Sequence, residues 1–155
     1  MKKLSFIICV AIFTSVSAFS QQKKSSKKAK VVAKAKVEAP ANVKDAFQQN
    51  FTGTSDVIWV KTSSGNWIGT FKQEDVKTAA EYDAEGKWIA TRSEYTAENL
   101  PGTISATIKN KFPSSVVNNG VKIERADVAA YYKVNIDDNG TTKALLINEN
   151  GTITQ

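Results

Sequence analysis

The 155-residue chain has no histidine and one cysteine, Cys9, which lies in its leader. Nucleophilic sites most often use an imidazole as the base beside the nucleophile, so the commonest catalytic constellations are excluded. Structural and catalytic zinc sites draw on Cys and His, and these are missing from the part that can fold. The same scarcity rules out a disulfide framework, so packing must hold the domain together. Carboxylate pairs do occur, Asp83 with Glu85 and Asp137 with Asp138, but both fall in expected turns, where Asp bonds its own backbone. Asn135 to Gly140 matches the first half of a calcium loop, yet the position that needs a bidentate Glu is Leu146. No catalytic residue, metal site or cofactor is therefore expected, and the chain reads as a non-enzyme.

Long hydrophobic runs are also scarce. The longest reaches from Leu4 to about Val16 behind Lys2 and Lys3, too short to span a bilayer core of roughly 30 Å comfortably. It has the form of a secretory leader, with cleavage expected after Ser20 or Ala18, which places the mature protein in the periplasm or outside the cell.

Acidic residues are absent from residues 1–37, which carry nine Lys and hence +9, while residues 38–155 set 12 Lys and Arg against 15 Asp and Glu, giving −3. The basicity thus belongs to the leader and to residues 21–38, read as a Lys-rich disordered linker. A phosphate-binding groove needs cations clustered on the folded surface, so the folded part is not expected to bind nucleic acid. The linker serves either as a spacer or as an attachment to anionic envelope surfaces.

Residues 39–155 show regular patterning. Val43, Ala46, Phe47 and Phe51 form one helical stripe behind Pro40, and Leu100, Ile104, Ile108 and Phe112 form another at Pro101, with Pro40 to Pro101 and Phe47 to Ile108 both 61 apart. Each stripe precedes β-type segments. In the first half these are Asp56–Lys61, Trp67–Lys72, Lys77–Tyr82 and Lys87–Arg92; in the second they centre on Val121 and Ile123, on Ala130–Asp137, on Lys143–Asn148 and on Gly151–Thr154. The expected fold is α+β: two tandem repeats, 39–98 and 99–155, each one helix packed on a three- to four-stranded antiparallel sheet. Units that small bury only about 60% of their surface, so the halves should pack together or extend one sheet.

Four aromatics at strand positions, Trp59, Trp67, Tyr82 and Trp88, are either core or contacts for a partner. Phe51 and Trp88 are expected in the core. Ile58, Val60 and Ile68 point away from Trp59 and Trp67, so the first two strands are apolar on both sides and the second side also needs cover.

Pro40 with Val43, Phe47 and Phe51, then Val57-Ile58-Trp59, then Tyr82-Asp83-Ala84-Glu85-Gly86-Lys87-Trp88-Ile89, then Leu100-Pro101, resembles the secreted PepSY-like, β-lactamase-inhibitor-like proteins of Bacteroidetes. The resemblance covers residues 39–155, although Ile147-Asn148-Glu149-Asn150-Gly151-Thr152-Ile153 departs from the hairpin pattern. It implies a non-catalytic exported module of helix-on-antiparallel-sheet build that binds a protein or peptide, such as an envelope peptidase or another enzyme. PepSY domains are thought to restrain peptidases, and the similar β-lactamase inhibitor grips its enzyme with a concave sheet. No inhibitory contact carries over to a residue of this chain. The four aromatics are the candidate partner-binding residues, and the other reading is an envelope protein held on anionic surfaces by its Lys-rich tail.

Overall fold

The computed structural model describes residues 37–155. The expected leader at 1–20 and the linker up to residue 36 lie outside the described residues. The elements run α1 (Ala41–Asn50), β1 (Ile58–Lys61), β2 (Trp67–Gln73), β3 (Val76–Tyr82), β4 (Trp88–Tyr95), α2 (Gly102–Lys111), β5 (Val116–Arg125), β6 (Val128–Asp138) and β7 (Thr141–Asn148).

Helix α1 starts where Pro40 fixes φ at −57 and holds an extended ψ of 158, and α2 starts in the same way at Pro101. Phe51 and Phe112 end the two helices, each sending its backbone N–H to the residue four back, Phe47 and Ile108. Val43 and Phe47 are fully buried on α1, as are Ile104 and Ile108 on α2, which is the outcome their spacing predicts.

The two separate helix-on-sheet repeats do not form. All seven strands of the described residues join one antiparallel sheet in the order β1-β2-β3-β4-β5-β6-β7, with the two described helices on it. The decisive contact is β4 with β5, where Ala90–Tyr95 pair with Gly120–Arg125. Two smaller sheets would each have left a row of unpaired N–H and C=O groups at this edge, and the pairing removes both rows. The outer edge of β7 is covered by the chain's own last residues: Leu146 N–H donates to Gln155 O at 2.9 Å and Thr154 N–H to Leu146 O at 2.7 Å. The strand expected at 151–154 is reduced to a single bridge, Ile147 to Ile153. At the opposite edge β1 is four residues long, which limits the unpaired backbone it exposes.

Both helices lie over the same face. One core gathers Val43, Phe47, Trp67, Phe71, Ala80 and Tyr82. The other gathers Leu100, Ile104, Ile108, Val134, Ile136 and Ile147. Between them β3, β4 and β5 present a polar strip, in which Thr78 and Ser93 hydroxyls lie 3.2 Å apart and Lys122 is bridged by Glu124 at 3.0 Å and Glu149 at 2.9 Å. Phe51 and Trp88, expected in the core, are half-buried on its flank.

Phe47 touches Phe51, Trp59, Phe71 and Tyr82 ring to ring, at 5.1, 5.4, 5.0 and 6.4 Å between centroids. Replacing it with Ala is expected to cost about 3–5 kcal/mol of unfolding free energy, whereas Phe51→Ala, at a half-buried site, should cost visibly less. Urea unfolding of the two variants separates them, and equal losses would contradict this ranking.

Candidate functional site

Side chains alternate across a strand, and directly paired residues of neighbouring strands share a face, so the register sorts every strand residue onto one side of the sheet. On the helix-covered side, one row reads Lys61, Trp67, Tyr82, Trp88 and the next Trp59, Gly69, Ala80, Thr91, Glu124. All four candidate aromatics therefore stand on the covered side, grouped under α1. Tyr82 is 0% and Trp67 7% exposed; Trp59 and Trp88 are half-buried.

Each of the four is held by a specific neighbour. A Cβ on Gly69 would lie 2.9 Å from Trp59 Cη2, so glycine is what lets the indole lie flat across β2. The Lys61 ammonium sits 5.5 Å from the Trp67 ring centroid. Asn50 Nδ2 donates to Tyr82 Oη at 3.1 Å, and burial raises the Tyr82 phenol above its ordinary value against the smaller opposite effect of that bond. Trp88 Nε1 donates to Thr91 Oγ1 at 2.9 Å. The strip's cation is held as firmly: burial alone would lower the Lys122 ammonium, but Glu149 and Glu124 more than offset it and raise it above the usual lysine value.

Among the described residues, the other face carries no helix. Its three long rows follow from the register: Val60, Ile68, Glu81, Ala90, Arg125, Val128; then Ile58, Thr70, Ala79, Arg92, Ile123, Tyr131, Asn148; then Lys72, Lys77, Glu94, Val121, Lys133, Leu146. The middle row crosses all seven strands. Ile58 is 66% and Val60 49% exposed, whereas Ile68, Ile123, Val121 and Leu146 are half-buried. Tyr131 is the one aromatic in these rows. The sequence did signal this face through Ile58, Val60 and Ile68; it did not signal Arg92, Ile123, Arg125 or Tyr131, because their convergence depends on the β4–β5 pairing.

Arg92 reaches Glu81 at 3.3 Å, and Glu81 also accepts a hydrogen bond from Asn66 at 2.9 Å. At one end of the face a cleft of about 420 Å³ opens between the β3–β4 turn and the β5–β6 turn, bordered by Trp88, Ile89, Ala90, Arg92, Arg125 and Val128. Nothing in it pairs a nucleophile with a base. What the face offers is aliphatic surface framed by fixed charges, which suits contact with another molecule's surface.

The profile of the family described as "Putative beta-lactamase-inhibitor-like, PepSY-like" matches residues 69–155. The chain belongs to this family. Several solved structures share its fold. A BLIP-like protein from Bacteroides fragilis is 16% identical with a TM-score of 0.65, covering 77% of this chain and 85% of its own. A DUF2874 family protein from Bacteroides ovatus is 16% identical with a TM-score of 0.64, over 77% and 86% of the two chains. A Bacteroides eggerthii protein, provisionally described as periplasmic, is 13% identical with a TM-score of 0.61, over 77% and 88%. No curated protein matches the chain.

Gly69→Ala should push the Trp59 indole away from the sheet without unfolding it. The expected readout is red-shifted tryptophan emission with greater acrylamide quenching, lost when Trp59→Phe is added. Unchanged emission would mean that the indole does not depend on the space at residue 69.

Proposed function

We propose that this PepSY-like protein is an exported, non-catalytic module that binds a protein or peptide on the helix-free face of its sheet. The observation that carries the reading is a sheet that the described residues cover on one side only, whose bare side keeps a row of residues running across all seven strands and leaves Ile58 and Val60 exposed. Exposed aliphatic surface of this kind is costly in water unless something covers it. The family's inhibitor-like description and the absence of histidine from the chain support a binding role over catalysis. The leader-like N-terminus, together with the relative provisionally described as periplasmic, supports export.

Of the four aromatics, Trp88 alone borders the cleft, so it is assigned a contact at the margin of the face. Trp59, Trp67 and Tyr82 contribute by fixing the strands from behind. A peptidase or other envelope enzyme, with inhibition as the outcome, is the partner class the family resemblance favours.

The Lys-rich residues 21–37 carry a second reading, supported by the division of charge between +9 in residues 1–37 and −3 in the rest. They tether the protein to anionic surfaces. Binding to phosphatidylglycerol vesicles should then weaken with salt and vanish on deleting residues 21–37, and salt-independent binding would remove this role.

The main proposal is tested with the exported protein immobilised and challenged with envelope extract of the organism that makes it. Ile58→Asp with Ile123→Asp should reduce recovery of the captured partner about tenfold, as loss of a buried apolar contact does at an interface. Lys109→Glu, on the exposed side of α2, should leave it unchanged. Equal recovery by wild type and the double variant would place the contact elsewhere.

A further inference from the structure

Resting on that reading, we propose that the partner surface is acidic around an apolar centre, and that one of its carboxylates enters the cleft at the end of the bare face to pair with Arg125. Residues 38–155 carry a net −3, yet the three rows of this face hold Lys72, Lys77, Arg92, Arg125 and Lys133 against Glu81 and Glu94, a net +3. The sign of the charge is reversed where the apolar residues are bare.

Two of the five cations are already committed. Lys77 is bridged by Glu94 at 3.0 Å and Arg92 by Glu81 at 3.3 Å. Lys72, Arg125 and Lys133 have no ion-pair partner among the described residues. Placed by register, they stand around Ala79, Val121, Ile123 and Tyr131, so an apolar patch has cations at its border. Protein interfaces have this anatomy, with desolvated apolar contacts inside and charges at the margin that set orientation and partner choice.

Arg125 differs from the other two because it lines a concavity. Its row neighbour Ala90 is 1% exposed, and Ile89 and Val128 complete apolar walls. A guanidinium beside apolar walls favours a bidentate carboxylate, because its five fixed donors match the two oxygens. Two acids also border the cleft. Asp83 uses Oδ1 to accept the N–H groups of Glu85 at 3.0 Å and Lys87 at 2.8 Å, and Asp127 belongs to the turn between β5 and β6. Lys87 adds a third cation at the mouth.

The test uses the exported protein labelled with nitrogen-15 and a random glutamate–tyrosine copolymer as probe, read by amide shifts. Shifts are expected at Arg92, Ile123, Arg125 and Tyr131. Arg125→Ala should weaken the affinity about tenfold, the size expected for a charge-assisted hydrogen bond. Lys72→Glu with Lys133→Glu should weaken it further, and a lysine–tyrosine copolymer should leave the face unshifted. Shifts confined to residues 23–36 or to Lys109 and Lys111 would overturn the proposal, as would unweakened binding by Arg125→Ala. If both copolymers shift the face equally, its acid preference is refuted while its binding role stands. If neither does and the Ile58/Ile123 variant still loses its captured partner, the carboxylate chemistry alone is refuted.

Discussion

The pairing of β4 with β5 is the constraint on which the rest of the molecule depends. It joins two groups of strands that would each be too small to stand well alone, and it does so without a disulfide. It also decides which side chains meet. Arg92 and Ile123 become neighbours across that seam, as do Ala90 and Arg125, and the bare face exists as one surface only because the seam is closed.

The covered side is built to leave that surface undisturbed. Large aromatic rings from β1, β2 and β3 interlock with Phe47 on one side of the molecule, while α2 packs aliphatic residues on the other. Glycine supplies the remaining space. At Gly86 φ is +89 and a Cβ would meet Asn42 O at 2.9 Å, so the β3–β4 turn can approach α1 closely enough for Asn42 to donate to Ala84 O at 3.0 Å. The turn that borders the cleft is therefore anchored to the helix on the opposite side of the sheet.

Much of the local structure was legible because local patterns specify it. The stripe of Val43, Ala46 and Phe47 gave the first helix, and alternation gave the two faces of β1 and β2. What local patterns could not show was that one sheet would result. Residues 91–94 of β4 are Thr, Arg, Ser and Glu, with no apolar alternation; β5 alternates at Val121 and Ile123 but is interrupted by Asn118, Asn119 and Gly120, and nothing in either stretch names the other as its partner. Their match is set by tertiary context and by the cost of leaving two edges open. Phe51 and Trp88 fell short of full burial for a positional reason: Phe51 ends α1, and Trp88 opens β4 beside a register shift. The candidate site was visible in its aliphatic corner and invisible in its charges, since Lys72, Arg125 and Lys133 are far apart in sequence and meet only through the register of five strands.

Strand order in space is the same as strand order along the chain. A polypeptide emerging N-terminus first can thus pair each new strand with the one just made, and α2 alone intervenes, between β4 and β5. Loop-closure entropy stays small at nearly every step, which favours rapid collapse to the native topology. For a domain that must assemble without disulfides to hold it, a meander is a kinetically forgiving arrangement.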